Sequence, residues 1–122
     1  MCILGKAQMS IGFMSFDAAG RPSLEGPNFN NGNALAVLRA AGLVSTEASL
    51  WSPPHVPIGQ FRQRLRSGLH PARLEANVRA ERSGQRMLVG ALDEEAIFDR
   101  LLELLLWAGR AADGGAVRVS WA

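Results

Sequence analysis

The sequence contains one cysteine, Cys2, and one lysine, Lys6. A lone thiol excludes an intrachain disulfide and any cysteine-based zinc set. A lone lysine leaves no lysine-centred motif. The only histidines, His55 and His70, each adjoin a proline, and their spacing matches no metal-ligand pattern. No serine stands in a Gly-x-Ser-x-Gly elbow, and the glycines lack the dinucleotide-binding and Walker spacings. No uncharged apolar run reaches the roughly 18 to 20 residues of a membrane span. The first residues show no small-residue cleavage pattern, and there is no Asn-x-Ser/Thr site. These absences point to a cytoplasmic, bacterial-type protein outside the membrane, with no cofactor or metal, and more readily a binding domain than an enzyme.

What is present describes a folded chain. Its 122 residues are 48% apolar and 20% charged, which suits a single domain with a real core and argues against disorder. The strongest local signal is Asp93 to Asp113. Asp93 is an N-cap type residue, Glu94 and Glu95 occupy the first turn, Arg110 the last, and Gly114-Gly115 stops it. At about 100° per residue, Ile97, Phe98, Leu101, Leu102, Leu104, Leu105, Ala108, Ala111 and Ala112 form a wide apolar arc. Glu95, Asp99, Glu103 and Arg110 fall opposite. Leu106 and Trp107 interrupt that polar side. Together with Trp121 they are the candidate interface for self-association, since exposed apolar patches usually mark contact surfaces.

Alternation over residues 9 to 16 predicts a strand, with residues 1 to 8 as a mobile extension. Asp17 to Pro22 is turn chemistry. Ser23-Leu24-Glu25 reads as a short return strand stopped by Gly26-Pro27. Asn28 to Asn33 carries four asparagines in six residues. They suit the turn and N-cap of a buried helix over Ala34 to Ala41, ended by Gly42. A second helix opens at Pro57 and runs to residue 69, with Ile58, Phe61, Leu65 and Leu69 as its apolar stripe. Residues 74 to 81 and 86 to 90 read as a hairpin. Val117, Val119 and Trp121 alternate in a terminal strand. The expected fold is α+β, a mostly antiparallel sheet of four to five strands from residues 9–16, 74–81, 86–90 and 116–121. The long helix packs on one face with two shorter helices beside it, in a single domain over residues 9 to 122.

Three groupings carry candidate chemistry. Asn30, Asn31 and Asn33 stand where free backbone N–H groups at a helix start attract a carboxylate or phosphate; a capped turn explains the same residues. A small-molecule enzyme or sensor with a pocket at this turn and His55 is one alternative reading. Charge is also unevenly placed despite a net +2: residues 62 to 86 hold seven arginines against Glu75 and Glu81, and residues 93 to 103 hold five acids against Arg100. Opposite blocks in one small domain ordinarily neutralise each other. The alternative is that Arg62, Arg64, Arg66, Arg79 and Arg86 bind a nucleic-acid backbone.

Asn28-Phe29-Asn30-Asn31-Gly32-Asn33-Ala34, the following Ala41-Gly42-Leu43 and the terminal Val119-Ser120-Trp121 resemble a pattern in small uncharacterised bacterial proteins. Those combine an Asn-rich turn, a short apolar helix ending Leu-Gly-Leu, and a late amphipathic helix before a Val-x-Trp strand. The resemblance covers about a third of the chain. It implies the same domain boundaries and fold, and it transfers no activity or catalytic residue.

Overall fold

The computed structural model describes residues 10–44, 55–73 and 94–122. In chain order the elements are β1 (Ser10–Asp17), β2 (Pro22–Asn30), α1 (Asn31–Ala40), β3 (Val56–Pro57), α2 (Ile58–Gly68), α3 (Glu94–Asp113) and β4 (Ala116–Trp121). The strands form one antiparallel sheet in the order β2-β1-β4-β3. The expected α+β architecture is present, with an antiparallel sheet and one long helix. The sheet's composition differs from expectation: β2 and β3 take part. The expected hairpin at 74–81 and 86–90, the extension at 1–8, and Asp93 lie outside the described residues.

β2 runs straight through Gly26-Pro27, which the sequence marks as a stop. Among the described strands it lies at the sheet edge, where proline's missing donor is tolerated. The ladder absorbs the extra residues as bulges. Gly12 pairs with Asn28, Met14 with Glu25 and Phe16 with Pro22, so β2 twice spends three residues against two on β1. At the second irregularity Ser15 is fully buried, yet its hydroxyl is satisfied. Its Oγ donates to Leu24 O at 2.9 Å and accepts from Leu24 N at 2.8 Å. A side chain thus replaces the missing ladder contacts.

The turn into β2 is held by Asp17. Its Oδ1 accepts from the N–H groups of Ala19 and Arg21, and its Oδ2 from Arg21 Nε at 3.3 Å. The Arg21 backbone N–H, helped by that of Ala19 and by the guanidinium, holds the Asp17 carboxyl below its ordinary range.

A third bulge separates Asp17, paired with Ala116, from Phe16, paired with Arg118. It shifts the alternation of β4. Val119 and Trp121 are buried as expected, but Val117 turns out to solvent and Ala116 takes its place inside.

The core lies on one side of the sheet. Ile11, Phe13, Phe29, Val119 and Trp121 point from the strands towards α1, α2 and α3. Helix α1 is buried almost throughout, and Arg39 is its only charged residue. At its end Gly42 (φ +72°) reverses the chain: its N–H donates to Arg39 O, and that of Leu43 donates to Leu38 O. Five rings form the centre, with Phe13 against Phe29, Trp107 and Trp121 and Phe61 against both tryptophans, at centroid distances of 5.7 to 6.5 Å.

Trp107 therefore belongs to the core, only 2% exposed, and Trp121 is 1% exposed. Neither can serve as an exposed interface residue. The helical wheel places Trp107 about 80° from Ile97 and Leu106 about 180° away. A side chain as long as tryptophan closes that gap when the facing strand leaves space. Gly26 leaves it: a Cβ there would stand 2.7 Å from Trp107 Cε2. The buried arc of α3 is thus Ile97, Leu101, Leu104, Trp107, Ala108 and Ala111. Phe98 and Leu106 are 38% and 57% exposed.

Candidate functional site

Helix α2 follows directly on β3, with Pro57 (φ −56°) in the N-cap position and Ile58 as its first residue. Its apolar residues Phe61 and Leu65, with Gly68, face the core. Gln60, Gln63, Arg64, Arg66 and Ser67 remain exposed, and Arg62 is half-buried.

Among the described residues of the two charge blocks, the expected neutralisation does not occur. Among the described residues one ion pair forms, Arg21 with Asp17. None of Arg62, Arg64 and Arg66 is paired with Glu95, Asp99 or Glu103. The geometry of the helix pair explains this. Arg62 reaches α3 at Gly109, whose Cβ position lies 3.7 Å from Arg62 Nη2. Glu103, the nearest of the three acids in sequence, is six residues earlier, about 9 Å along the helix axis. The acids project on the exposed side of α3. Arg100, within that acidic segment, turns inward instead. It sits 5.8 Å over the Phe29 ring and donates from Nη1 to Ala96 O.

The fold brings a different set of side chains together. Arg73 donates from Nη1 to Ser67 Oγ at 3.2 Å. Its Nη2 lies 3.3 Å from the Cβ position of Gly42, and Arg64 Nη1 lies 3.5 Å from the same point. Two guanidinium groups thus meet over the turn that ends α1. Gln60, Gln63, Arg64 and Ser67 line a surface depression of about 460 Å³ beside them. One signal in the sequence marks this stretch: no acidic residue stands between Glu47 and Glu75. Arg79 and Arg86 lie outside the described residues.

The asparagine segment is divided. Asn28 belongs to β2 and pairs with Gly12. Asn30 is the N-cap of α1, and its Oδ1 accepts from Asn33 N at 2.8 Å. That bond uses one of the N–H groups an anion would need. Asn31 and Asn33 are in the first turn of the helix. His55 lies at the other end of β1, its ring 5.5 Å from that of Phe16, whereas Asn30 pairs with Ser10. Those two points, Ser10 and Phe16, are six residue steps apart along β1, about 20 Å, so no single small pocket joins the asparagine turn to His55. The sheet face away from the helices has its own shallow depression of about 330 Å³, lined by Gly12, Met14, Phe16, Glu25, Asn28 and Ser120 among others.

Among the described residues no group of three histidines, cysteines or acids is placed to hold a metal ion, and no helix is long and apolar enough to cross a membrane. Comparison of the chain with protein-family models, curated proteins and solved structures gives no match in any of the three.

Proposed function

We propose that this chain is a binding domain whose partner is a nucleic-acid backbone, gripped by the arginine face of α2. The observation that carries the reading is that Arg62, Arg64 and Arg66 are not ion-paired with the acids of α3. Arg64 and Arg66 stand exposed on a helix that carries no acid, between glutamine and serine side chains that can also donate to phosphate oxygens. Phe61, the one aromatic on this helix, is fully buried. Helix α2 itself therefore offers no stacking platform for bases. Contact is with phosphates, and binding is indifferent to base sequence.

Fluorescence anisotropy with a labelled duplex tests this. The expected result is affinity that falls steeply with salt, as counterions are released. Arg64→Gln with Arg66→Gln should lower the slope of log K against log salt by about 2, roughly one per arginine removed. No binding at about 50 mM salt, or binding that ignores salt, rejects the proposal.

Self-association is the second reading, favoured by the exposure of Phe98 and Leu106 on α3. With Trp107 and Trp121 assigned to the core, these two residues carry it alone. Leu106→Glu should convert a dimer to a monomer in sedimentation velocity without altering the circular dichroism spectrum. A wild-type chain that sediments as a monomer at every concentration removes this reading.

A further inference from the structure

We infer that Arg64 and Arg73, with Ser67 beside them, form a clamp for one phosphate group. This deepens the proposed backbone contact and, where the phosphate belongs to a nucleic acid, rests on it. Like charges do not gather without cause. Here the cause is the C-terminal end of α1, whose partial negative charge favours cations. Two of the last carbonyls of that helix are taken up by the chain reversal, since Gly42 N bonds Arg39 O and Leu43 N bonds Leu38 O, and neither guanidinium donates to them. The helix end thus holds the guanidiniums without consuming their donors.

Each guanidinium carries five N–H donors. Arg73 uses one on Ser67 Oγ, and Arg64 makes no hydrogen bond among the described residues. Ser67, accepting from Arg73, keeps its own O–H free to donate. Arg64 Nη1 and Arg73 Nη2 both lie within 3.5 Å of the Gly42 Cβ position, so they are near enough to share one small anion. A planar carboxylate is satisfied by a single guanidinium fork. A tetrahedral phosphate offers oxygens to two forks and a hydroxyl at once, which matches the donors gathered here. Gly42 is part of the design. Its positive φ makes the turn, and its missing side chain leaves the space into which both arginines reach.

The test is calorimetric titration of the full chain with inorganic phosphate, paired with duplex binding by anisotropy. Wild type should bind phosphate saturably. Arg64→Gln and Arg73→Gln should each weaken that binding at least tenfold, while Arg118→Gln, at an exposed position of β4, leaves it unchanged. Loss of phosphate binding together with weaker duplex binding supports the clamp and assigns the phosphate to a backbone. Loss of phosphate binding in a chain whose wild type does not bind duplex supports the clamp for free phosphate, and rejects the nucleic-acid proposal. Phosphate binding that is absent in wild type, or unmoved by both substitutions, overturns the clamp even if the duplex binds.

Discussion

Trp107→Ala should lower the unfolding free energy by about 3 kcal/mol, the lower end of the range for buried tryptophan truncation. Two magnitudes set that figure. A buried aromatic removes about 150–250 Å² from water, worth roughly 4–6 kcal/mol at about 25 cal/mol per Å². Against this, Trp107 Nε1 is buried without a hydrogen-bond partner, and an unsatisfied donor already costs the native state about 1–3 kcal/mol. The alanine variant is relieved of that cost. It also loses ring contacts with Phe13 and Phe61 at 6.4 and 6.3 Å. Trp107→Phe keeps part of the ring packing and drops the orphan N–H, so its loss should be clearly smaller. Urea unfolding of the three proteins provides the measurement. A midpoint for Trp107→Ala equivalent to less than about 1 kcal/mol of loss, below the usual large-to-small range, would place Trp107 outside the core and restore it as an interface residue.

Gly68→Ala should destabilise by about 2–3 kcal/mol, the upper part of the overpacking range. Helix propensity alone predicts the opposite sign, a gain of up to about 1 kcal/mol. Space decides. A Cβ on Gly68 would stand 2.8 Å from Ala40 O, 3.2 Å from Ala40 C and 3.3 Å from Ala41 Cα. All three are backbone atoms and cannot rotate aside, so α2 must lift from the end of α1. Gly59, in the same helix, has nothing within 4 Å of its Cβ position. Gly59→Ala should therefore leave stability unchanged or raise it slightly. Thermal melting of both variants checks the contrast, and equal effects would refute the close helix crossing. The crossing also sets where Arg64 and Ser67 stand relative to Gly42. Gly68→Ala should thus weaken phosphate binding as well as the fold.

The elements that could be read from the sequence are those with a complete local signal. Helix α3 has charge bias, an apolar period and a glycine stop, and its described span, Glu94–Asp113, matches the expected one. β1 and β4 show through alternation, and Asn30 caps α1 as its side-chain chemistry suggests. What could not be read depends on partners distant in sequence. Gly26-Pro27 looks like a terminator until β2 is known to be an edge strand. Ser15 looks like a flaw in an apolar face until the bulge brings Leu24 to its hydroxyl. Trp107 looks exposed until Gly26 is placed against it. For the candidate site, the arginine block was visible as composition. The freedom of Arg62, Arg64 and Arg66 from Glu95, Asp99 and Glu103 was not, because that depends on where two helices cross. Arg73 is one basic residue among several in the sequence, and only the tertiary fold brings it to Arg64.

The irregular pairing of β1 with β2 has a consequence for assembly. A regular edge strand is an open template on which another chain can add by backbone pairing, the first step towards aggregation. Here the edge strand contains Pro22 and Pro27, which lack N–H donors, and two bulges break its repeat against β1. Such an edge cannot offer an unbroken run of donors and acceptors to a neighbour. With β2 at the edge of the described sheet, copies of this chain that meet there find a poor template for a continuous sheet, and side-chain contacts are favoured over backbone pairing.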